Sequence, residues 1–185
     1  SPTPLPSRGA TPYVSRHGFG YSSFEHAEGG ISSELTVYVA LDAAIKFSLL
    51  KVRNESGRAR RLSVTGYVEW VLGDLRPKST MHVITEIDPL SGALYARNAY
   101  NTEFADRIAF FDVDDMPRTF SGDRAEFIGR NGTLRNPAAM NRAQLSNKVG
   151  AALDPCAAIQ VAFGLAVGEE REFIFRLGAG RNLND

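Results

Sequence analysis

The chain has one cysteine in 185 residues, Cys156, so no internal disulfide can form. Its neighbours Ala157, Ala158 and Ile159 mark it as a small buried hydrophobe rather than a nucleophile, and such usage fits a reducing compartment. Charge of one sign is also lacking. Lys plus Arg and Asp plus Glu both number 21, the formal charge is zero, and no global field draws the molecule to nucleic acid or an anionic bilayer. No apolar run approaches the ~20 residues that span a bilayer, and no basic n-region followed by an apolar h-region opens the sequence. The segment is therefore expected to be soluble. A chain of this size suits a single domain, 1–185, in which roughly 70% of the extended-chain surface can be buried.

What is present is period two. Ile31, Leu35, Val37, Val39 and Leu41 share one parity, which predicts a half-buried strand over 31–41. Ile45, Phe47 and Leu49 open the next run, which ends at Asn54-Glu55-Ser56-Gly57, a turn in which Gly57 can take positive φ. Over 61–71 the even positions Leu62, Val64, Gly66, Val68 and Trp70 alternate with Arg61, Ser63, Thr65, Tyr67 and Glu69, the cleanest alternation in the chain. Further strands are predicted at 81–87 and 93–98, joined by the turn Asp88-Pro89-Leu90-Ser91-Gly92, and at 107–113. Ile159, Val161, Phe163 and Leu165, then Val167-Gly168-Glu169-Glu170, then Phe173, Phe175 and Leu177 read as the clearest hairpin.

Helix is scarce. One turn is signalled at Asp123, with Glu126 at capping-box spacing and Gly129 as the stop. Residues 131–154 carry Gly, Pro and Asn without sustained period and read as a long loop crossing between sheets, with a short helical turn near 137–140. Eight to ten short strands with little helix predict an all-β, antiparallel sandwich. Composition does not separate a jelly roll from a larger sandwich.

The chemistry-bearing residues are thinly spread. Glu25, Glu28, Glu34, Glu69, Glu86 and Glu103 are candidate acids, but none is paired with a second acid at a recognisable spacing, so no catalytic residue is assigned. His17 and His26, with Glu25, are the residue types of an acid/base set for sugar-ring opening, yet they lie nine apart across what reads as a single strand, at its opposite ends. With Cys156 they lack the spacing and the fourth ligand of a zinc site. Asp112-Val113-Asp114-Asp115 holds an Asp-x-Asp spacing that serves either a divalent cation or a charged strand end. No metal or cofactor is assigned. Trp70 falls on the apolar parity and reads as core, whereas Tyr95, Tyr100 and Phe104, beside Asn98, Asn101 and Glu103, form the better candidate platform for a sugar ring. Arg76 and Lys78 lie in the polar, Pro-stiffened loop 73–80.

Residues 16–30, Arg-His-Gly-Phe-Gly-Tyr-Ser-Ser-Phe-Glu-His-Ala-Glu-Gly-Gly, crowd glycines, aromatics and ionisable groups into a strand-turn-strand pattern. Gly18-Phe19-Gly20-Tyr21-Ser22-Ser23 places Ser23 where a dinucleotide fingerprint needs its third glycine, so the glycines are read as admitting close backbone approach while Phe19 and Tyr21 pack. The stretch resembles the Arg-His-Gly-x-Gly-Tyr-Ser segment in the N-terminal β-sandwich of family 94 glycoside phosphorylases of the cellobiose and chitobiose type. It resembles more closely still the corresponding module of bacterial cyclic β-1,2-glucan synthases. The resemblance extends through Ser1-Pro2-Thr3-Pro4-Leu5-Pro6, Val39-Ala40-Leu41-Asp42, Tyr67-Val68-Glu69-Trp70, Asn98-Ala99-Tyr100-Asn101 and the segment from Gly122-Asp123-Arg124 to Asn131-Gly132.

That resemblance implies a super-sandwich related to galactose mutarotase, the general acid lying in a separate C-terminal (α/α)6 barrel. It implies a parent enzyme acting on β-1,2-glucan, a module that supports the barrel, and possible homodimer contacts. In dimeric relatives the loop corresponding to 73–80 reaches the partner subunit's active site. Here that loop is shorter and lacks the acidic and amide residues of cellobiose phosphorylase, which leaves docking or lining a neighbouring cleft. Arg124 falls in a family-like segment and has the forked donors that suit phosphate or sugar hydroxyls, or salt bridges fastening the helical turn. The residues carried forward as candidate substrate contacts are Tyr95, Tyr100, Asn101, Arg76, Lys78 and Arg124. With residues 1–12 as an extended, Pro-ordered opening segment and no initial methionine, the chain is expected to be a fragment of a larger enzyme, on the cytoplasmic side of an inner-membrane parent. An autonomous carbohydrate-binding module and a small mutarotase-like enzyme using His17 or His26 are the alternatives.

Overall fold

A computed structural model describes residues 1–6 and 8–182; Ser7, within the opening segment, and residues 183–185 lie outside the described residues. The strands are β1 (Tyr13–Gly18), β2 (Tyr21–Glu28), β3 (Ile31–Val39), β4 (Ile45–Asn54), β5 (Arg60–Glu69), β6 (Ile84–Ile87), β7 (Leu94–Arg97), β8 (Ile108–Val113), β9 (Arg118–Asp123), β10 (Pro155–Leu165) and β11 (Glu170–Gly180). Two short helices, α1 (Arg76–Ser79) and α2 (Arg124–Ile128), follow β5 and β9. The larger antiparallel sheet has the order β1-β2-β3-β4-β11-β8-β7-β6, and the smaller has β5-β10-β9. This is the all-β sandwich that the periodicity predicts.

The even face of β5 turns inward as expected: Val64 and Trp70 are buried, with Leu62 and Val68 packed beside them. Gly66 has a specific reason. A Cβ there would stand 2.5 Å from the Phe175 ring and 2.7 Å from that of Phe111, so the glycine admits the stacked Phe111–Phe175 pair between the sheets. The odd face is not left to water. Tyr67 stacks on Phe127 of α2 at 4.5 Å, and Phe127, Ile128, Ala139, Leu145 and Ala158 form a second small core behind the smaller sheet.

That second core corrects the reading of 131–154. Since β9 and β10 are neighbours in one sheet, the segment does not cross between sheets but lies over the outer face of the smaller one. Its helical turn is present as a 3-10 turn at Ala138–Asn141. β10 and β11, read as a hairpin, do not pair either. β10 lies between β5 and β9, and β11 between β4 and β8. Their apolar faces meet across the core, Phe163 against Phe173 at 4.7 Å.

Asn54 makes that corner. It is fully buried, its side-chain amide donates to the carbonyls of Arg58, Leu165 and Ala166, and its Oδ1 accepts from the Ser56 N–H and hydroxyl. Gly57, which the turn sequence allows a positive φ, does not take one. Asp123 caps α2 through the Ala125 N–H at 3.1 Å, and Gly129 ends it, but no capping box forms. Glu126 turns to Ser121, Ser146 and Arg142, and the Asp123 N–H is taken by Ser121.

Candidate functional site at the α1 end of the sandwich

The chain leaves β5 through Glu69 and Trp70 and turns at Leu72, whose φ of 40° is strained for a side-chain-bearing residue. The turn is held by Asn98, which donates its amide to the Leu72 carbonyl at 2.8 Å. Pro77 in the first turn suits the start of α1, and Thr80 donates back to the Arg76 carbonyl at 2.6 Å. The stretch expected as a loop over 73–80 is thus partly helical.

Arg76 and Arg124, 48 positions apart in sequence, meet here over two shared carboxylates. Arg76 pairs with Asp154 and lies 3.3 Å from Glu69, while Arg124 donates to Glu69 at 2.8 Å and lies 3.4 Å from Asp154. The Tyr67 hydroxyl donates to Glu69 at 2.8 Å. Burial acts to raise the Glu69 carboxyl, but hydrogen bonds from Arg124 and Tyr67 and the charges of Arg124 and Arg76 outweigh it and hold the group below the usual carboxylate range. Burial, then the bond to Glu69, pushes the Tyr67 phenol up. The hydrogen bond to Glu69 likewise raises the Arg124 guanidinium. The cluster is neutral and its guanidinium donors are largely occupied, so its evident work is to fasten α1 and α2 to the ends of β5 and β10. Arg130 has no ion pair among the described residues.

Lys78 is exposed on α1. Tyr100 is 74% exposed and stacks on His82 at 4.1 Å, just beyond α1. Asn101 accepts from the Glu103 and Phe104 N–H groups and so shapes its own turn. Five of the six candidate residues, Arg76, Lys78, Tyr100, Asn101 and Arg124, thus gather toward one end of the sandwich, where Val71, Leu75, Met81 and Phe104 are also exposed. Tyr95 is elsewhere. It points from β7 to the outer face of the larger sheet, into a groove of about 640 Å³ lined also by Ile45, Arg107, Phe110 and Asp112. Sequence reasoning missed Asp154 and His82, and it read Asn98 as part of the sugar platform rather than as the donor that holds the Leu72 turn.

The other candidates acquire local partners. His17 and His26 lie on different strands, a correction to the single-strand reading: His17 pairs in register with Ser22 on β2, and His26 with Tyr13 on β1. Four residues of strand separate them along the hairpin, about 14 Å at ~3.4 Å per residue. His26 is buried, stacked on Tyr13 at 3.9 Å and joined to Thr11 at 2.8 Å, so it ties the opening segment to β2. Because the Thr11 hydroxyl donates to the Ala27 carbonyl, His26 Nε2 is the donor to Thr11. Glu25 pairs with Arg16. Phe19, expected to pack, is fully exposed at the β1–β2 turn, while Tyr21 lies over Gly18. Asp112 binds Arg118 and Arg176, Asp114 accepts from the Ile174 N–H, and Asp115 binds Arg171. The Asp-x-Asp spacing is therefore occupied by protein donors. Cys156 is fully buried and burial pushes its thiol up, as its apolar neighbours imply.

The family model described as the glycosyl hydrolase 94 supersandwich domain matches residues 1–185, and the chain belongs to that family. It is similar to the cyclic β-(1,2)-glucan synthase NdvB of Rhizobium meliloti (strain 1021), at 34% identity over 179 residues, covering 96% of this chain and 6% of that protein. The N,N'-diacetylchitobiose phosphorylase of Vibrio proteolyticus is 25% identical over 181 residues, covering 91% of this chain and 22% of the relative. The chain thus spans a small part of the relatives it matches. A solved structure of a protein of Escherichia coli K12 described as an aldose 1-epimerase shares the fold with a TM-score of 0.51 at 8% identity, covering 92% of this chain and 69% of that one. No helix among the described residues is long and apolar enough to cross a membrane.

Proposed function

We propose that this domain is the non-catalytic, carbohydrate-associated β-sandwich of a cyclic β-1,2-glucan synthase, supporting an (α/α)6 phosphorylase-like domain of the same parent chain that acts on β-1,2-glucan. The observation that carries the reading is the α1 end. Around a strained, hydrogen-bonded turn Val71, Leu75, Met81, Tyr100 and Phe104 are exposed, while Arg76 and Arg124 are spent on fixing that end in place. Exposed apolar side chains on a rigidified end suit docking better than chemistry. The match to 6% of a glucan synthase supports the same view, since most of such a chain lies outside the module. The histidines, held by Ser22 and by Thr11 and Tyr13 at opposite ends of their hairpin, do not favour a mutarotase.

The test is phosphorolysis. The parent enzyme is expected to release sugar phosphate from linear β-1,2-glucan and inorganic phosphate, and the 185-residue chain alone none. Release by the chain alone, or a parent inactive on this glucan but active on another disaccharide, would overturn the reading. A homodimer through the α1 end is the subordinate expectation, checked by light scattering of the parent with and without Met81→Asp.

A further inference from the structure

The outer face of the larger sheet carries an aromatic band in which Tyr38 and Phe47 stack on each other at 5.2 Å. Strand register places Tyr21 beside Tyr38, and Tyr38 beside Phe47, on β2, β3 and β4. Across β11 the band resumes with Phe110 on β8 and Tyr95 on β7. Six adjacent strands at ~4.8 Å spacing give the band a length of about 24 Å. An outward face of an antiparallel sheet is ordinarily polar, so two groups of rings there, with Arg176 and Gly178 of β11 between them, need an explanation.

Three features say what kind of partner the rings suit. Two of them cover glycines on the neighbouring strand: a Cβ on Gly178 would stand 2.7 Å from the Phe110 ring, and one on Gly18 would collide with the Tyr21 ring. A ring pressed onto backbone on one side offers its other π face outward, the geometry on which the C–H face of a pyranose stacks. Charged groups of both signs line the band, some of them paired, Asp112 with Arg118 and Arg176 and Glu86 with Arg97, with Arg107, Asp42 and Asp106 beside them in the grooves. The mixture of signs gives the surface no bias toward an anionic or a cationic ligand. Finally, among the described residues no protein group hydrogen-bonds the hydroxyls of Tyr21, Tyr38 or Tyr95, which leaves polar tips beside apolar faces.

We propose that this band is a binding surface for an extended, neutral glucan chain, separate from the α1 end, with Tyr21 stacking on a sugar at one end and Phe110 and Tyr95, four and five strands away, stacking on sugars at the other. The groove beside Tyr95 and Phe110, about 640 Å³, and the adjoining one of about 530 Å³ that shares Tyr95, would receive the end of the chain nearest β7. The identity of the glucan as β-1,2-linked rests on the function proposed above; the band itself does not.

Calorimetric titration of the 185-residue chain with linear β-1,2-gluco-oligosaccharides and, separately, cello-oligosaccharides tests this. Saturable binding is expected, tighter for longer oligomers. Loss of one stacking ring in Tyr21→Ala or Tyr95→Ala should weaken it roughly three- to tenfold. Gly178→Ala, which lifts the Phe110 ring, should weaken it as well, and Val167→Ala, in the exposed β10–β11 turn, should leave it unchanged. Circular dichroism verifies that each variant is folded. Binding of cello-oligosaccharides alone, with the same ring dependence, would sustain the band and count against the β-1,2-glucan assignment. No binding to either series, or binding indifferent to Tyr21→Ala and Tyr95→Ala, would overturn the band and leave the phosphorolysis test standing.

Discussion

The side-chain amide of Asn54 donates to the carbonyl oxygen of Leu165, 111 positions away, at 3.0 Å, and so pins the corner where β4 leaves the larger sheet to the corner where β10 leaves the smaller one. Its backbone joins the same knot, the N–H to the Glu169 carbonyl and the carbonyl to the Gly168 N–H. Replacing Asn54 by Ala strands the buried Leu165 carbonyl and removes the donor to those of Arg58 and Ala166, and a loss of roughly 2–3 kcal/mol is expected in urea unfolding. Asn54→Asp should be at least as harmful near neutral pH, since it aims a carboxylate at carbonyl oxygens.

Gly66→Ala is expected to cost about 1–3 kcal/mol by overpacking, because the added methyl meets the Phe111 and Phe175 rings. The midpoint of thermal unfolding reads this directly. A mild effect would mean that the rings have room to tilt.

Acid should loosen the α1 end. Glu69 and Glu126 are both held below their ordinary value of 4.5, Glu126 because hydrogen bonds from Ser146, Ser121 and Arg142 overcome its burial. A depressed carboxylate contributes its full stability above that ordinary value and loses it as pH falls below 4.5 toward the lower folded value. The double variant Glu69→Gln with Glu126→Gln should therefore unfold with a flatter dependence on pH below about 4.5 than the parent sequence. Urea midpoints at several acidic pH values measure it.

Leu75→Asp and Met81→Asp alter side chains that are 55% and 72% exposed. Each should change the stability of the chain by no more than about 0.5 kcal/mol. In the parent enzyme the same changes should lower phosphorolysis if this end docks the catalytic domain. Unchanged activity there would remove the docking assignment.

The strands with one dry face were legible because their alternation is a local property: Leu62, Val64, Val68 and Trp70 announce β5 without reference to anything else. The β10–β11 connection was not. Val167-Gly168-Glu169-Glu170 signals a reversal, but a turn does not say whether the two strands then lie side by side or face to face; that choice is made by Asn54 and by Phe163 meeting Phe173. β9 escaped notice because both faces of Arg118–Asp123 are largely covered, which erases the alternation. The meeting of Arg76 with Arg124 was equally invisible, since it depends on Glu69 and Asp154 arriving from two different strand ends. The spread of candidate residues in the sequence was informative all the same: the Tyr95 and Tyr100 pair, read as one platform, separates onto a sheet face and an end loop.

The segment that lies over the smaller sheet has a further consequence for β10. With β5 and β9 on its two edges, the larger sheet beneath and Phe127, Ile128 and Leu145 above, its residues from Pro155 to Val161 are buried without interruption. Amide protons in such a position are reached by solvent only when the whole domain opens. The slowest hydrogen exchange in the molecule should therefore fall on Ala157 to Val161, whose protection would serve as an internal gauge of global stability, independent of any added denaturant.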